Sequence, residues 1–252
     1  MNKRKLLVAA LSIMMVAILA VGGTMAYFTH EEVADNVFTI GNVEIDLIED
    51  YKQNSNLLPG NDVNKDVWVQ NIGSNDSYVR VHIAFPALMD DGNPEFAAVN
   101  NFLHWNFTLA SVADGEWSWL PEYTEGQGYR GNGAGNWNFY EETIDGELYN
   151  VYVATYRTAL KYGEKTPIVL DKVYLDKSVN AVANRNEDGK VISYTYTDTN
   201  GNTVTLPVDG EGVKASFEVK VLAEGTQTGN FKNAFDALNT AFGVPGTYKA
   251  FN

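Results

Sequence analysis

Three histidines, no cysteine and 32 acidic residues are the raw material for chemistry in this 252-residue chain. A zinc peptidase needs His-Glu-x-x-His on a helix, which sets two imidazoles on the metal with a carboxylate beside the bound water. The only His-Glu is His30-Glu31-Glu32-Val33-Ala34, with alanine where the second ligand belongs. His82 falls on the polar phase of a predicted strand, and His104 follows a predicted helix. Their spacing brings no two of them together, so solvated or packed histidines are the better reading. No Gly-x-Ser-x-Gly elbow is present, which leaves a Ser/His pair without a scaffold. Asp90-Asp91-Gly92-Asn93 with Glu95 lacks the alternating carboxylates of a calcium loop and reads as a turn that caps the next helix. Gly126-Gln127-Gly128-Tyr129-Arg130-Gly131 is a literal G-x-G-x-x-G. It is followed by Asn132-Gly133-Ala134-Gly135, so it offers no helix N-terminus to a pyrophosphate and reads as a loop. The sequence assigns no catalytic residue, no metal and no cofactor.

The aromatic-rich stretch Asp114–Glu142 carries another kind of chemistry. Trp117, Trp119, Tyr123, Tyr129, Trp137, Phe139 and Tyr140 stand among glycines there. Exposed rings stack on the apolar faces of sugars, so Trp117, Trp119 and Trp137 are the contacts of an alternative, glycan-binding reading. Large aromatics usually pack inward, which makes the stretch a long surface excursion folded down onto its domain.

The N-terminus is the most informative part. Lys3-Arg4-Lys5 precedes a 16-residue run, Leu6–Val21, broken only by Ser12, and then Gly22-Gly23-Thr24-Met25-Ala26. A basic start, an apolar centre and a small-residue exit describe a secretory signal peptide. Thr24 and Ala26 fill the small subsites of a signal peptidase, and Tyr27 becomes the first mature residue. A retained anchor is the rival reading, but the run is shorter than the roughly 20 residues of a spanning helix. The division that follows is signal peptide 1–26, extended segment 27–36 and a single domain 37–252.

Loss of Lys3, Arg4 and Lys5 with the leader takes the formal charge from −14 to −17. Such a balance excludes nucleic acid and anionic lipid as partners, because both demand a basic patch. Without cysteine there are neither disulfides nor thiolate metal sites, so an exported chain of this kind depends on its core alone.

Strands must position these residues. Val43, Ile45 and Leu47 alternate with Glu44 and Asp46, and Val79, Val81, Ile83 and Phe85 alternate with Tyr78, Arg80 and His82. Further strands are expected at 149–153, at 191–197 and 203–208 joined through Asn200-Gly201, and at 217–221. Two short helices interrupt the pattern: one over Pro94–Leu103, and one over Phe231–Phe242 that stops at Gly243. The expected fold is all-β, an antiparallel β-sandwich of jelly-roll-like type with two short helices and the long Gly/aromatic excursion.

Three stretches carry a family resemblance. They are Gly22-Gly23-Thr24-Met25-Ala26-Tyr27-Phe28 with Phe38–Leu47; Leu58-Pro59-Gly60-Asn61-Asp62 with Val67–Gly73 and Tyr78–Val81; and Phe217–Gly225 with Ala241-Phe242-Gly243. Together they resemble the TasA/camelysin family of secreted biofilm matrix proteins with SipW-dependent signal peptides. The resemblance implies a secreted protein of the extracellular matrix or cell surface of a Gram-positive-type bacterium, off the membrane once cleaved. It implies no enzyme activity in the matrix branch and a peptidase label in the camelysin branch. It also implies partners: other copies of the chain in a homopolymer, a second matrix protein, and the signal peptidase during export. The segment after the cleavage site would be a donor strand for the next subunit, anchored by Tyr27, Phe28 and Val33.

Overall fold

The computed structural model describes residues 29–33, 43–51, 59–90, 102–106, 116–119, 139–208 and 217–251. The leader with Thr24, Ala26 and Tyr27, the anchor Phe28, Trp137, the G-x-G-x-x-G and Asp91–Glu95 lie outside the described residues.

Thirteen strands and one helix are described, and every named strand pair is antiparallel. The strands are β1 (Thr29–Val33), β2 (Ile45–Tyr51), β3 (Asp62–Asn71), β4 (Ser77–Pro86), β5 (Leu103–Asn106), β6 (Trp117–Ser118), β7 (Phe139–Ile144), β8 (Glu147–Tyr156), β9 (Leu170–Leu175), β10 (Asn180–Arg185), β11 (Val191–Thr197), β12 (Thr203–Pro207) and β13 (Lys220–Gln227). The helix, α1, is Ala234–Phe242. A six-stranded sheet runs β1-β13-β4-β8-β6 with β7 also on β8, a four-stranded sheet runs β2-β3-β9-β5, and β10-β11-β12 form a third.

The first two sheets make the sandwich. Ile45, Val67 and Val69 from one and Val79, Val81, Ile83 and Phe85 from the other share one apolar cluster, each 0 % exposed. Gly225 on β13 marks the closest approach. A Cβ there would stand 2.9 Å from Ile45 Cγ2, inside van der Waals contact, so no larger residue fits unless the Ile45 side chain gives way. The third sheet lays Tyr196, Val204 and Leu206 against the same core. The all-β sandwich expected from two-residue periodicity is therefore the observed architecture.

Several details differ from expectation. Leu103, expected to end a helix, opens strand β5, whose partner is β9, about 70 residues away in sequence. The rest of the expected helix 94–103 lies outside the described residues, apart from Phe102. The C-terminal helix starts at Ala234, later than Phe231, because Asn233 caps it by accepting from Asp236 N at 2.9 Å. At Asn200-Gly201 only the glycine takes positive φ, at 83°. Asp198 organises that turn by accepting from the backbone N–H groups of Asn200 and Asn202 at 2.9 and 2.8 Å. The two-residue turn with both residues at positive φ is Asp145-Gly146, at 53° and 88°, between β7 and β8.

Candidate functional site

On β4 the side chains alternate between faces, and the sequence assigns Arg80 and His82 to a wet one. The structure corrects this: Arg80 is 1 % exposed and His82 is 0 % exposed. The reason is a second layer. Helix α1 and the segment 244–251 fold back over that face of the six-stranded sheet, and both residues point into the space between.

Arg80 is directly opposite Glu224 of β13 in the strand register, and its Nε donates to Glu224 Oε2. Arg80 Nη1 donates to Asn239 Oδ1 of α1 at 2.9 Å. Its Nη2 donates to the Gly243 carbonyl at 3.0 Å and to the Tyr248 hydroxyl at 2.7 Å. That hydroxyl donates to Glu224 Oε1 at 2.5 Å, closing a ring of three groups, Arg80, Tyr248 and Glu224. His82 places Nε2 3.1 Å from Glu224 Oε2 and Nδ1 3.2 Å from the Tyr140 hydroxyl. Tyr140 leads on to Glu142, whose two carboxylate oxygens accept from the Phe251 and Ala250 backbone N–H groups, each at 3.1 Å. The rings of Phe242 and Tyr248 both stand 5.7 Å from the guanidinium carbon.

Electrostatics follow from this geometry. Burial alone would raise the Glu224 carboxyl; His82, Arg80 and the Tyr248 hydroxyl outweigh it and hold the group down to about 2. Burial raises the Tyr248 and Tyr140 hydroxyls, and nearby carboxylates reinforce the effect. Both tyrosines therefore remain neutral donors. A network of this kind ties α1 and the chain end to the sheet; it presents no accessible nucleophile or base to a substrate.

The other expected site residues are scattered. His30 lies on β1, opposite Gly225. His104 is buried on β5, with Nε2 2.9 Å from Asp176 Oδ2 and its ring against Tyr174 at 5.2 Å. Asp90 accepts from the Tyr152 hydroxyl at 2.7 Å and from Asn150 Nδ2 at 3.1 Å, so its carboxylate serves a turn. Trp117 and Trp119 are 2 % and 6 % exposed, with Trp117 5.2 Å from the Tyr156 ring and Trp119 5.7 Å from Trp105. Neither ring has a face free for stacking on a sugar.

The N-terminal segment does find a place. Strand β1 is the outermost strand of the six-stranded sheet and pairs with β13 from Thr29↔Thr226 to Val33↔Leu222. Val33, the expected anchor nearest the domain, is the last paired residue. Beyond β1 the next segment along the chain enters the opposite sheet as β2.

The part of the chain that carries β1, β2, β3 and β4 is also the part with a family match. Residues 1–91 match the camelysin metallo-endopeptidase family. The TasA/camelysin resemblance thus holds over that stretch, and Asn71 and Gly73 give it a physical basis. Asn71 is fully buried; it accepts from Gly73 N at 2.9 Å and donates to the Asn75 and Leu160 carbonyls at 2.8 Å each, shaping the turn into β4. No curated protein and no solved structure matches the chain.

A metallo-endopeptidase family implies a metal. Among the described residues no group of three or more His, Asp or Glu side chains is placed to hold one. Both nitrogens of His82 are engaged, and the Arg80 guanidinium already occupies the carboxylate beside it. The buried His82–Glu224 pair therefore does not fit a metal ion. No described helix is long and apolar enough to cross a membrane.

Proposed function

We propose that this chain is an exported, non-enzymatic structural protein that polymerises through its N-terminal strand into extracellular, matrix-type fibres. Its partners on this reading are other copies of itself, a second matrix protein, and a signal peptidase acting between Ala26 and Tyr27. The observation that carries the reading is β1. A five-residue strand, separated from the signal-like leader by only Tyr27 and Phe28, lies on the edge of the six-stranded sheet. An edge strand joined to the body by a connecting segment can be replaced by the same strand of another copy, because backbone hydrogen bonds supply most of its attachment. A strand given to one neighbour and received from another is a heterologous contact, which propagates instead of closing. While the leader remains attached, the strand is tethered at the membrane, so cleavage acts as the release.

The test is negative-stain microscopy of protein beginning at Tyr27, beside a variant lacking residues 27–36, at neutral and mildly acidic pH. Fibres from the first and none from the second are expected, with acid favouring assembly as carboxylate repulsion falls. Equal fibre formation by both would sink strand exchange. Casein cleavage by the pure protein, abolished by a chelator, would overturn the non-enzymatic reading.

A further inference from the structure

The outward face of the three-stranded sheet is set by register. Asn180, Thr197 and Thr203 form one row, Val182, Thr195 and Thr205 the next, and Asn184, Ser193 and Pro207 the third. The opposite phase carries Tyr196, Val204 and Leu206 into the core, 5 to 7 % exposed. None of the nine outward residues is charged, in a chain of which a fifth is charged and which carries a net −14. Charges gather instead at one end of the sheet, as Arg185, Glu187, Asp188 and Lys190. Uncharged centre and charged rim is the anatomy of a protein–protein contact.

Polar side chains in the second and third rows of this face are partnered within it. Asn184 Nδ2 donates to Ser193 Oγ and to Thr195 Oγ1, each at 2.9 Å, and the Thr195 and Thr205 hydroxyls are 3.0 Å apart. Covering those two rows therefore strips water from groups that already have partners, which lowers the main cost of burying polar surface. Val182, 51 % exposed in its middle row, gains from being covered.

We infer that this face is a contact surface for the same face of a second copy of the chain. Charge selects the occupant. Two copies, each strongly acidic, repel over most approaches, and this is a patch where neither presents a charge to the other. A cationic partner would find nothing here to hold it. The contact is isologous, with Thr195 at the centre of the array close to the two-fold axis. Strand spacing and rise give the face about 250 Å². That is well below the roughly 800 Å² per partner of a standard interface, so a single contact is weak and gains strength by repetition. The inference rests on the assembly reading above for that repetition along a fibre.

Because the chain has no cysteine, an introduced thiol reports only on itself. Packed sheets lie about 10 Å apart, beyond direct disulfide reach, so a short bismaleimide is the suitable cross-linker. Thr195→Cys and, as a second reporter, Thr205→Cys are compared with Tyr162→Cys, a turn residue 73 % exposed elsewhere on the surface. Cross-linking is run in the full processed protein at its highest soluble concentration and in any fibres seen by microscopy. The array variants should form cross-linked dimers on the order of tenfold faster than Tyr162→Cys, and Thr205→Glu in the Thr195→Cys background should remove that advantage. Rates equal to the control in both states overturn the contact. Protection of the array thiols from labelling by added dextran, without dimers, overturns it in favour of a neutral glycan. Preferential cross-linking without fibres upholds the contact and counts against polymerisation alone; fibres without preferential cross-linking do the reverse.

Discussion

On β4, Val79, Val81, Ile83 and Phe85 face the sandwich, whereas Arg80 and His82, from the same strand, face α1 and the chain end. Both faces are dry. The first is closed by apolar packing against Ile45, Val67 and Val69, which is non-directional and tolerant of small shifts. The second is closed by a ring of directed bonds around Arg80 and Glu224, in which each group depends on its neighbours. A packed apolar face degrades by increments, while a buried charge left without its partner costs several kcal/mol at once. The polar face therefore fixes where α1 and residues 244–251 sit, and the apolar face supplies most of the stability.

The largest expected effect comes from breaking the ring. Arg80→Ala should lose about 3–5 kcal/mol in denaturant unfolding, because it strands the Glu224 carboxylate in a dry site. The double variant Arg80→Met/Glu224→Leu should recover most of that loss, since neither charge remains to be desolvated. A double variant no better than the single would show that apolar packing of the arginine stem, and not charge, holds this face.

Next comes pH. The Glu224 carboxyl lies at about 2 when folded, below its usual 4.5. A depressed carboxyl contributes stability that is complete above the unfolded value and is lost as pH falls through the folded one. Between pH 4.5 and about 2 the protein should thus lose roughly 3 kcal/mol through this group. Glu224→Gln should unfold with less pH dependence in that window. Identical slopes for the two proteins would remove Glu224 from the account.

The same comparison explains what the sequence could and could not reveal. Two-residue alternation found the apolar phase of β4 correctly, because those residues have one thing to do. It misplaced Arg80 and His82 because a buried ion pair has the composition of a solvated face; only its partner on β13, 144 residues away, distinguishes the two. A usable signal did exist. The helix with Phe235, Leu238 and Phe242 on one side must lie on some sheet face, and that face cannot also be wet. Strand β5 was hidden for a related reason. Asn93-Pro94 reads as a helix start, while the β9 partner that makes His104-Trp105 a strand is remote in sequence. Asp145-Gly146 carries the same kind of hairpin signal as Asn200-Gly201 and was passed over, yet it takes positive φ at both residues, whereas the Asn200-Gly201 turn is shaped by Asp198. The edge position of β1 was not legible at all. Its residues are too polar to mark a core, and the resemblance to secreted matrix proteins, not the pattern, drew attention to it.

The smallest effects belong to the apolar face and sharpen the contrast from its side. Gly225→Ala forces a methyl to 2.9 Å from Ile45 Cγ2, an overpacking worth about 1–3 kcal/mol. Ile45→Val in the same chain should return part of it by removing Cδ1, which the new methyl would meet at 3.1 Å. Ile83→Val, at a fully buried position in the same layer, should cost only about 1 kcal/mol. Neither loss should change with pH from 7 to 3, since no titrating group joins these contacts. If Gly225→Ala instead acquired the acid sensitivity of the ring, strain on β13 would be reaching Glu224 one residue away. The two faces would then be one cooperative unit, coupled through the strand that carries β1.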